Sequence, residues 1–255
     1  MKKKVTLEDI LKVLNQIVKV NLEILDYSKQ ILNKLESSEN EENNGSESNN
    51  ENNEMPIVNF RFGEAYRVND FLQINNPSVA AALVEAFKQA IPESNDKKIE
   101  IIADYIKREY QYPFMNDGTP SCGGYFLRYQ KDSRFTDFHW RGSCDYMWSF
   151  PAECVVQKLG ICIDTSNLAF SLLKAVGIPA KVCLGAVYET KSGQLLGYHA
   201  WVEVPYKGKQ YVFETTIHPN GKNLLPAEVV YGKKMDVYYV KEAEYDEKNY
   251  REIKS

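Results

Sequence analysis

Residues 36 to 54, ESSENEENNGSESNNENNE, contain no apolar side chain and no base. Such a run cannot bury enough apolar surface to offset the entropy of ordering its own backbone. It reads as a flexible tether, so whatever precedes it is detached from whatever follows. The chain of 255 residues therefore divides into three parts: an N-terminal helix over 1–36, a disordered acidic Asn/Glu/Ser linker over 37–55, and a globular domain over 56–255. Seven glutamates in the run carry −7 of a net charge of −4, leaving about +3 for the rest. That near balance is no footprint for a polyanion, and nucleic acid is not an expected partner. No apolar run is long enough to span a bilayer, so no membrane association is expected. The N-terminus lacks the compact apolar block and small-residue cleavage site of a signal peptide. Five cysteines, an odd count with no CxxC pair, read as reduced thiols in a cytoplasmic protein, with no metal and no cofactor expected.

The first part has heptad spacing. With Leu7 at position a, the a positions are Leu7, Leu14, Asn21, Ser28 and Leu35, and the d positions are Ile10, Ile17, Ile24 and Ile31. Leu11, Val18, Leu25 and Leu32 occupy e and widen the stripe beyond a two-stranded seam. Leu at a with Ile at d favours more than two strands, and one buried Asn fixes register. A homo-oligomer through residues 1–36 is the expectation, against a single amphipathic helix docked on its own domain.

The globular part opens with two helical stretches. The first is NPSVAAALVEAFKQAI, 76–91. The second is DKKIEIIADYIKREY, 96–110, with Asp96 as the expected cap. From Tyr112 to Phe150 the periodicity is weak, and a long irregular segment is expected there. From Cys162 onward Leu168, Ala169, Leu172, Leu173 and Val176 recur at helical spacing until Gly177 and Pro179 stop the helix. Cys162 thus falls at a helix N-terminus, where unpaired amides and the macrodipole favour an anion. On position alone a buried core thiol is the commoner fate of such a cysteine.

Strand-like stretches follow: AKVCLGAVYE (180–189), GYHAWVEV (197–204) and QYVFETT (210–216). A four-residue loop pairing Val204 with Lys209 sets His199 opposite Glu214. A two-residue turn at Lys207 and Gly208 sets Glu214 opposite Trp201 and diagonal to His199. Either even-length loop leaves the two side chains on one face within cross-strand reach, and a one-residue slip separates them. A carboxylate beside an imidazole orients the ring and stabilises its cation. Packed on the N-terminus of the Cys162 helix, the three groups would form a Cys–His–Glu relay. Taken one at a time, a strand histidine is an ordinary hydrogen-bonded group and a strand glutamate an ordinary solvated acid.

Five short stretches, in order, carry a resemblance: WSFPAE (148–153), LGIC (159–162), LLKAVGIPAKV (172–182), HAWVEV (199–204) and ETT (214–216). Together they resemble the transglutaminase-like, papain-related cysteine enzymes, over roughly 70 residues. The resemblance implies an α+β fold, a papain/transglutaminase-like core with a nucleophile-bearing helix packed on an antiparallel sheet, beside the separate N-terminal coiled-coil helix. It implies Cys162 as nucleophile, His199 as base and Glu214 as third member, where the family more often carries Asp. Ile161 also departs from the Asp often found before the nucleophile. Trp148, Trp140 and Tyr112 are the candidates for lining the substrate or donating to the oxyanion, with packing favoured for Trp148. His139 and His218 are expected in loops, and Asp164 to cap the helix amides or hold the loop. The implied function is a cysteine-dependent amide hydrolase, a peptidase or isopeptidase, working on a peptide or protein through a thioester. The alternatives are a protein acyltransferase with the same triad, or an inactive peptide-binding or coiled-coil assembly protein.

Overall fold

The structure, a computed structural model, describes residues 55–61, 64–88, 90–112, 128–131, 134–138, 148–216 and 221–253. The heptad helix and nearly all of the acidic linker lie outside these residues, as do Trp140, His139, His218, Cys122 and Cys144.

A hairpin of β1 (Ile57–Arg61) and β2 (Glu64–Arg67) leads into a short 3-10 turn over Val68–Phe71. Helix α1 (Pro77–Phe87) starts where Asn76 accepts the Ser78 amide at 2.9 Å and Pro77 needs no amide partner of its own. Helix α2 (Asn95–Glu109) is capped by Ser94, which accepts the Lys97 amide at 3.4 Å. The expected cap, Asp96, instead lies in the first turn, and its carboxylate accepts the Lys207 amide at 3.0 Å. The correction has a local cause: Ser94 is the last extended residue, whereas Asp96 already has helical neighbours. The irregular stretch contributes a hairpin, β3 (Arg128–Lys131) with β4 (Arg134–Phe138). Helix α3 (Pro151–Gln157) and helix α4 (Cys162–Ala175) follow, then β5 (Lys181–Glu189), β6 (Leu195–Tyr206), β7 (Lys209–Phe213), β8 (Leu224–Pro226), the single turn α5 (Ala227–Val230), β9 (Val237–Tyr245) and β10 (Tyr250–Glu252).

The last six strands form one antiparallel sheet in the order β10-β9-β5-β6-β7-β8. The β6–β7 register pairs Val202 with Phe213 and Tyr206 with Lys209. This is the two-residue turn. Lys207 and Gly208 both have positive φ, 50° and 71°, as a type I′ turn requires.

Both faces of β6 are covered, which is why every residue from His199 to Val204 is buried. Ala200, Val202, Val204 and Tyr206 pack with Ile99, Ile102 and Ile106 of α2 and Leu168, Leu172 and Leu173 of α4. Trp201 points the other way, into a smaller cluster with Cys183, Val187, Val212, Leu225, Val230 and Tyr239. Helix α4 is buried from Ile163 to Leu173, the condition of a helix enclosed on all sides. It stops in a Schellman arrangement: the Gly177 amide (φ 78°) reaches the Lys174 carbonyl at 2.9 Å and the Ile178 amide the Leu173 carbonyl at 3.0 Å. Among the described residues no helix is long and apolar enough to cross a membrane.

Candidate active site

Cys162 is the first residue of α4, and its thiol is half-buried and free. The first amides of a helix have no intrahelical acceptor, so they form an anion-favouring end. Asp164 organises that end. One carboxylate oxygen accepts the Ile161 amide at 3.0 Å and the other accepts the Ser149 amide at 2.8 Å. Fully buried, it ties the helix start to the segment that enters α3. Gly160 is required by packing: a Cβ there would lie 2.9 Å from Cys154 Sγ and 2.9 Å from Thr165 Cγ2. The approach to Cys162 is also held from outside, because Gln111 and Lys158–Gly160 exchange backbone bonds at 3.1 and 3.2 Å. Lys158 anchors this loop through Glu85 at 2.8 Å and the Tyr105 hydroxyl at 3.0 Å.

His199 projects from β6 with two hydrogen-bonding neighbours. Nε2 donates to Glu214 Oε2 at 2.8 Å, and the Cys162 side chain also interacts with the ring. Glu214 follows the last residue of β7, one step past the Val202–Phe213 pair that the two-residue turn sets. It has no solvent exposure and accepts from His199, from the Tyr239 hydroxyl at 2.7 Å on the same Oε2, and from the Thr216 amide at 3.0 Å and hydroxyl at 3.4 Å on Oε1. Burial by itself would neutralise both members. It is outweighed by their mutual charge, the Cys162 contact on His199 and the donors on Glu214, which raise His199 and lower Glu214. The geometry favours imidazolium beside carboxylate.

The structure therefore brings Cys162, His199 and Glu214 together. Trp148 is buried in the main core, edge-on to Phe71 with ring centroids 5.2 Å apart. Tyr112 is half-buried against the same core and follows Gln111, whose backbone holds the Cys162 approach. Trp140 is outside the described residues. Tyr239 is a site residue that sequence reading missed. It donates to Glu214 and stands edge-on to His199 at 5.5 Å. Trp201 packs beside both rings, stacked on His199 at 6.2 Å and tilted against Tyr239 at 5.0 Å, and its indole N–H donates to the Tyr231 hydroxyl at 2.8 Å.

Two other cysteines are described, and both are buried, with thiols that burial pushes far above their ordinary range: Cys154 and Cys183. Glu203 shares a strand face with His199 but is engaged elsewhere, accepting from Tyr231 and pairing with Lys241 at 3.0 Å. Cys183, Glu203 and Glu244 bring metal-ligand atoms within 4.8 Å of one another. Lys241 ion-pairs with both carboxylates there, at 3.0 and 2.7 Å, so a fixed ammonium takes the place a cation would fill.

Comparison with known proteins agrees with this architecture. Residues 82–213, just over half the chain, match the family model of the transglutaminase-like superfamily. The match includes Cys162 and His199 and ends one residue before Glu214. A search of curated proteins finds no match. Among solved structures the chain is similar to Legionella pneumophila LapG, EGTA-treated, at 13% identity over 74% of this chain and 84% of that one, with a TM-score of 0.44. The calcium-bound form of LapG matches at 12% identity over 74% and 87%, with a TM-score of 0.42. A candidate cysteine protease from Cytophaga hutchinsonii matches at 14% identity over 72% and 53%, with a TM-score of 0.36.

Proposed function

We propose that this chain, which belongs to the transglutaminase-like superfamily, hydrolyses amide bonds of peptides or proteins through a Cys162–His199–Glu214 triad. The observation that carries this reading is one buried imidazole held by the Glu214 carboxylate at 2.8 Å that also interacts with the Cys162 side chain at the start of α4. His199 takes the thiol proton, and the resulting thiolate lies at the amide end of α4. Sulfur attacks the carbonyl carbon, and the C=O π pair moves onto oxygen. The Cys162 amide, at the helix start, is a donor for that oxyanion. On collapse the C–N bond breaks, and the imidazolium gives its proton to the leaving amine. A thioester remains. Water then attacks it as His199 accepts the water proton, the carboxylate departs, and the thiol is restored. Glu214 stays ionised throughout, orienting the ring and balancing its charge.

The test is alkylation with iodoacetamide from about pH 5 to 9, followed by peptide mass analysis. Cys162 should react fastest of the five thiols and slow strongly in His199→Ala. Uniform reactivity of all thiols would sink the enzyme reading in favour of a peptide-binding module. Hydrolysis is then separated from acyl transfer by supplying a primary amine with a turned-over substrate: a hydrolase releases free acid, whereas a transferase accumulates the new amide.

A further inference from the structure

Glu214 has to keep its charge in two different surroundings. While His199 is imidazolium, the two charges offset each other. Once the ring has given its proton to the leaving amine, a carboxylate with no solvent exposure is left beside a neutral imidazole. A buried acid in that state takes up a proton unless fixed donors hold its charged form. The side chain is also long. Glutamate has one more rotatable bond than the aspartate that the family more often carries, so more freedom has to be removed to aim it.

Oε1 is held locally, by the Thr216 amide and hydroxyl. Oε2 is the oxygen that meets His199, and it has a second donor from far along the chain, the Tyr239 hydroxyl at 2.7 Å. Tyr239 belongs to β9, and β5 lies between β9 and β6, so this side chain has to reach across β5 to the site. The β5 residue that pairs with His199 is Gly185, which pairs on its other side with Lys241 of β9. Gly185 puts no side chain in that path, and the backbone refuses one there, because a Cβ would fall 2.0 Å from the Val240 carbonyl oxygen.

The Tyr239 ring is itself fixed. It stands edge-on to His199 with centroids 5.5 Å apart and tilts against Trp201 at 5.0 Å. Burial and the neighbouring Glu214 charge hold its phenol protonated far above the ordinary range, so it remains a donor. Other titratable groups on this face are engaged elsewhere. Glu203 of β6 pairs with Lys241 of β9 and accepts from the Tyr231 hydroxyl, and Cys183 of β5 is a buried neutral thiol. From α4 only Cys162 meets the imidazole among the described residues.

We propose that Tyr239 is a positioning residue of this site: its hydroxyl pins Glu214 Oε2 where His199 needs it and keeps Glu214 ionised through the steps in which the imidazole is neutral. This rests on the triad reading above, and it makes β9, a strand outside the stretches that carry Cys162, His199 and Glu214, a working part of the site.

The test is Tyr239→Phe in the full-length protein. The change removes one oxygen and keeps the ring against His199 and Trp201, and urea unfolding checks that the variant folds. Glutamate labelled with carbon-13 at the side-chain carboxyl reports Glu214, assigned as the resonance missing from Glu214→Gln. Loss of a donor to the charged form should raise the Glu214 titration midpoint by about one pH unit or more. The iodoacetamide rate at Cys162 near pH 7, read by peptide mass analysis, should fall about threefold or more. A midpoint that does not move overturns the proposal whatever the rate does, because a ring that only fills space has no hold on the carboxylate. A rate within about twofold of wild type overturns it too, since the carboxylate would then be aimed without Tyr239. If Cys162 in the wild type alkylates without dependence on His199, the triad reading falls and takes this role with it. If that dependence holds and the midpoint stays put, only the role of Tyr239 falls.

Discussion

Glu214→Gln is an isosteric change with an outcome fixed by hydrogen-bond arithmetic. The described partners of the Glu214 carboxylate all donate to it: His199 Nε2 and the Tyr239 hydroxyl on Oε2, the Thr216 amide and hydroxyl on Oε1. An amide side chain offers one accepting oxygen and one donating nitrogen, so one side must meet a donor with a donor. The Thr216 amide is backbone and cannot turn. The Tyr239 hydroxyl rotates, and the imidazole can move its proton. The introduced glutamine would therefore keep its oxygen on Thr216 and present NH₂ to His199, forcing the neutral ring to carry its proton on Nδ1 and leaving its one lone pair, on Nε2, tied up by that amide. A ring so protonated cannot take the thiol proton. The same tautomer reversal in a serine-protease triad lowers kcat about 10⁴-fold. The charge is lost as well. The rise of His199 from 6.5 to about 10 corresponds to roughly 5 kcal/mol in favour of imidazolium, and the Glu214 charge is the largest contribution acting in that direction. We expect the iodoacetamide rate at Cys162, measured near pH 7, to fall by about 10²-fold or more and amide turnover by about 10⁴-fold, with a small loss of stability. Glu214→Ala leaves His199 and Tyr239 without their carboxylate partner in a sealed site and should cost about 3–5 kcal/mol in urea unfolding. Nitrogen-15 imidazole spectra report the tautomer directly. A Glu214→Gln protein within about tenfold of wild-type reactivity, or with the His199 proton still on Nε2, would refute this reasoning.

His199 should remain imidazolium through about pH 8 in the intact protein, with its titration displaced downward in both Cys162→Ala and Glu214→Gln, as imidazole NMR would follow. Because its folded pKa is raised, the stability it contributes is complete below 6.5 and fades as pH rises toward about 10. Glu214, which is lowered, contributes above the ordinary carboxylate range and loses that contribution as pH falls through its folded value. Gly160→Ala places a methyl 2.9 Å from Cys154 Sγ and from Thr165 Cγ2, and should destabilise by roughly 1–3 kcal/mol while displacing the start of α4; an unchanged Tm would show that the loop repacks freely. Removing residues 1–36 should convert an oligomer of more than two chains into a monomer with unaltered Cys162 alkylation, as sedimentation and labelling would register. A full-length chain that sediments as a monomer at micromolar concentration contradicts this.

What the sequence determined by itself is the part whose causes are local. Gly177 and Pro179 end α4 because neither the chain direction nor the missing amide permits another turn. Lys207-Gly208 is a turn, and even-length loops keep His199 and Glu214 on one face whichever is chosen. Cys162 begins a helix because the apolar spacing begins there. These follow from neighbours a few residues apart, whose geometry is set by bond angles and hydrogen-bond periodicity. The choice between the two registers needed the positive φ at Lys207, a costly conformation for a lysine that the paired strands on either side offset. Asp96, displaced as the cap of α2 by the extended Ser94 before it, finds its partner across the fold instead, in the Lys207 amide. Tyr239 reaches Glu214 because β9 pairs with β5 and β5 with β6, a chain of non-local contacts that alternation in one strand does not specify. The sequence determined which groups stand at the ends of its own helices and turns. Tertiary structure decided which distant donors close around a buried carboxylate, because desolvation makes each of those bonds obligatory only after the layers have met.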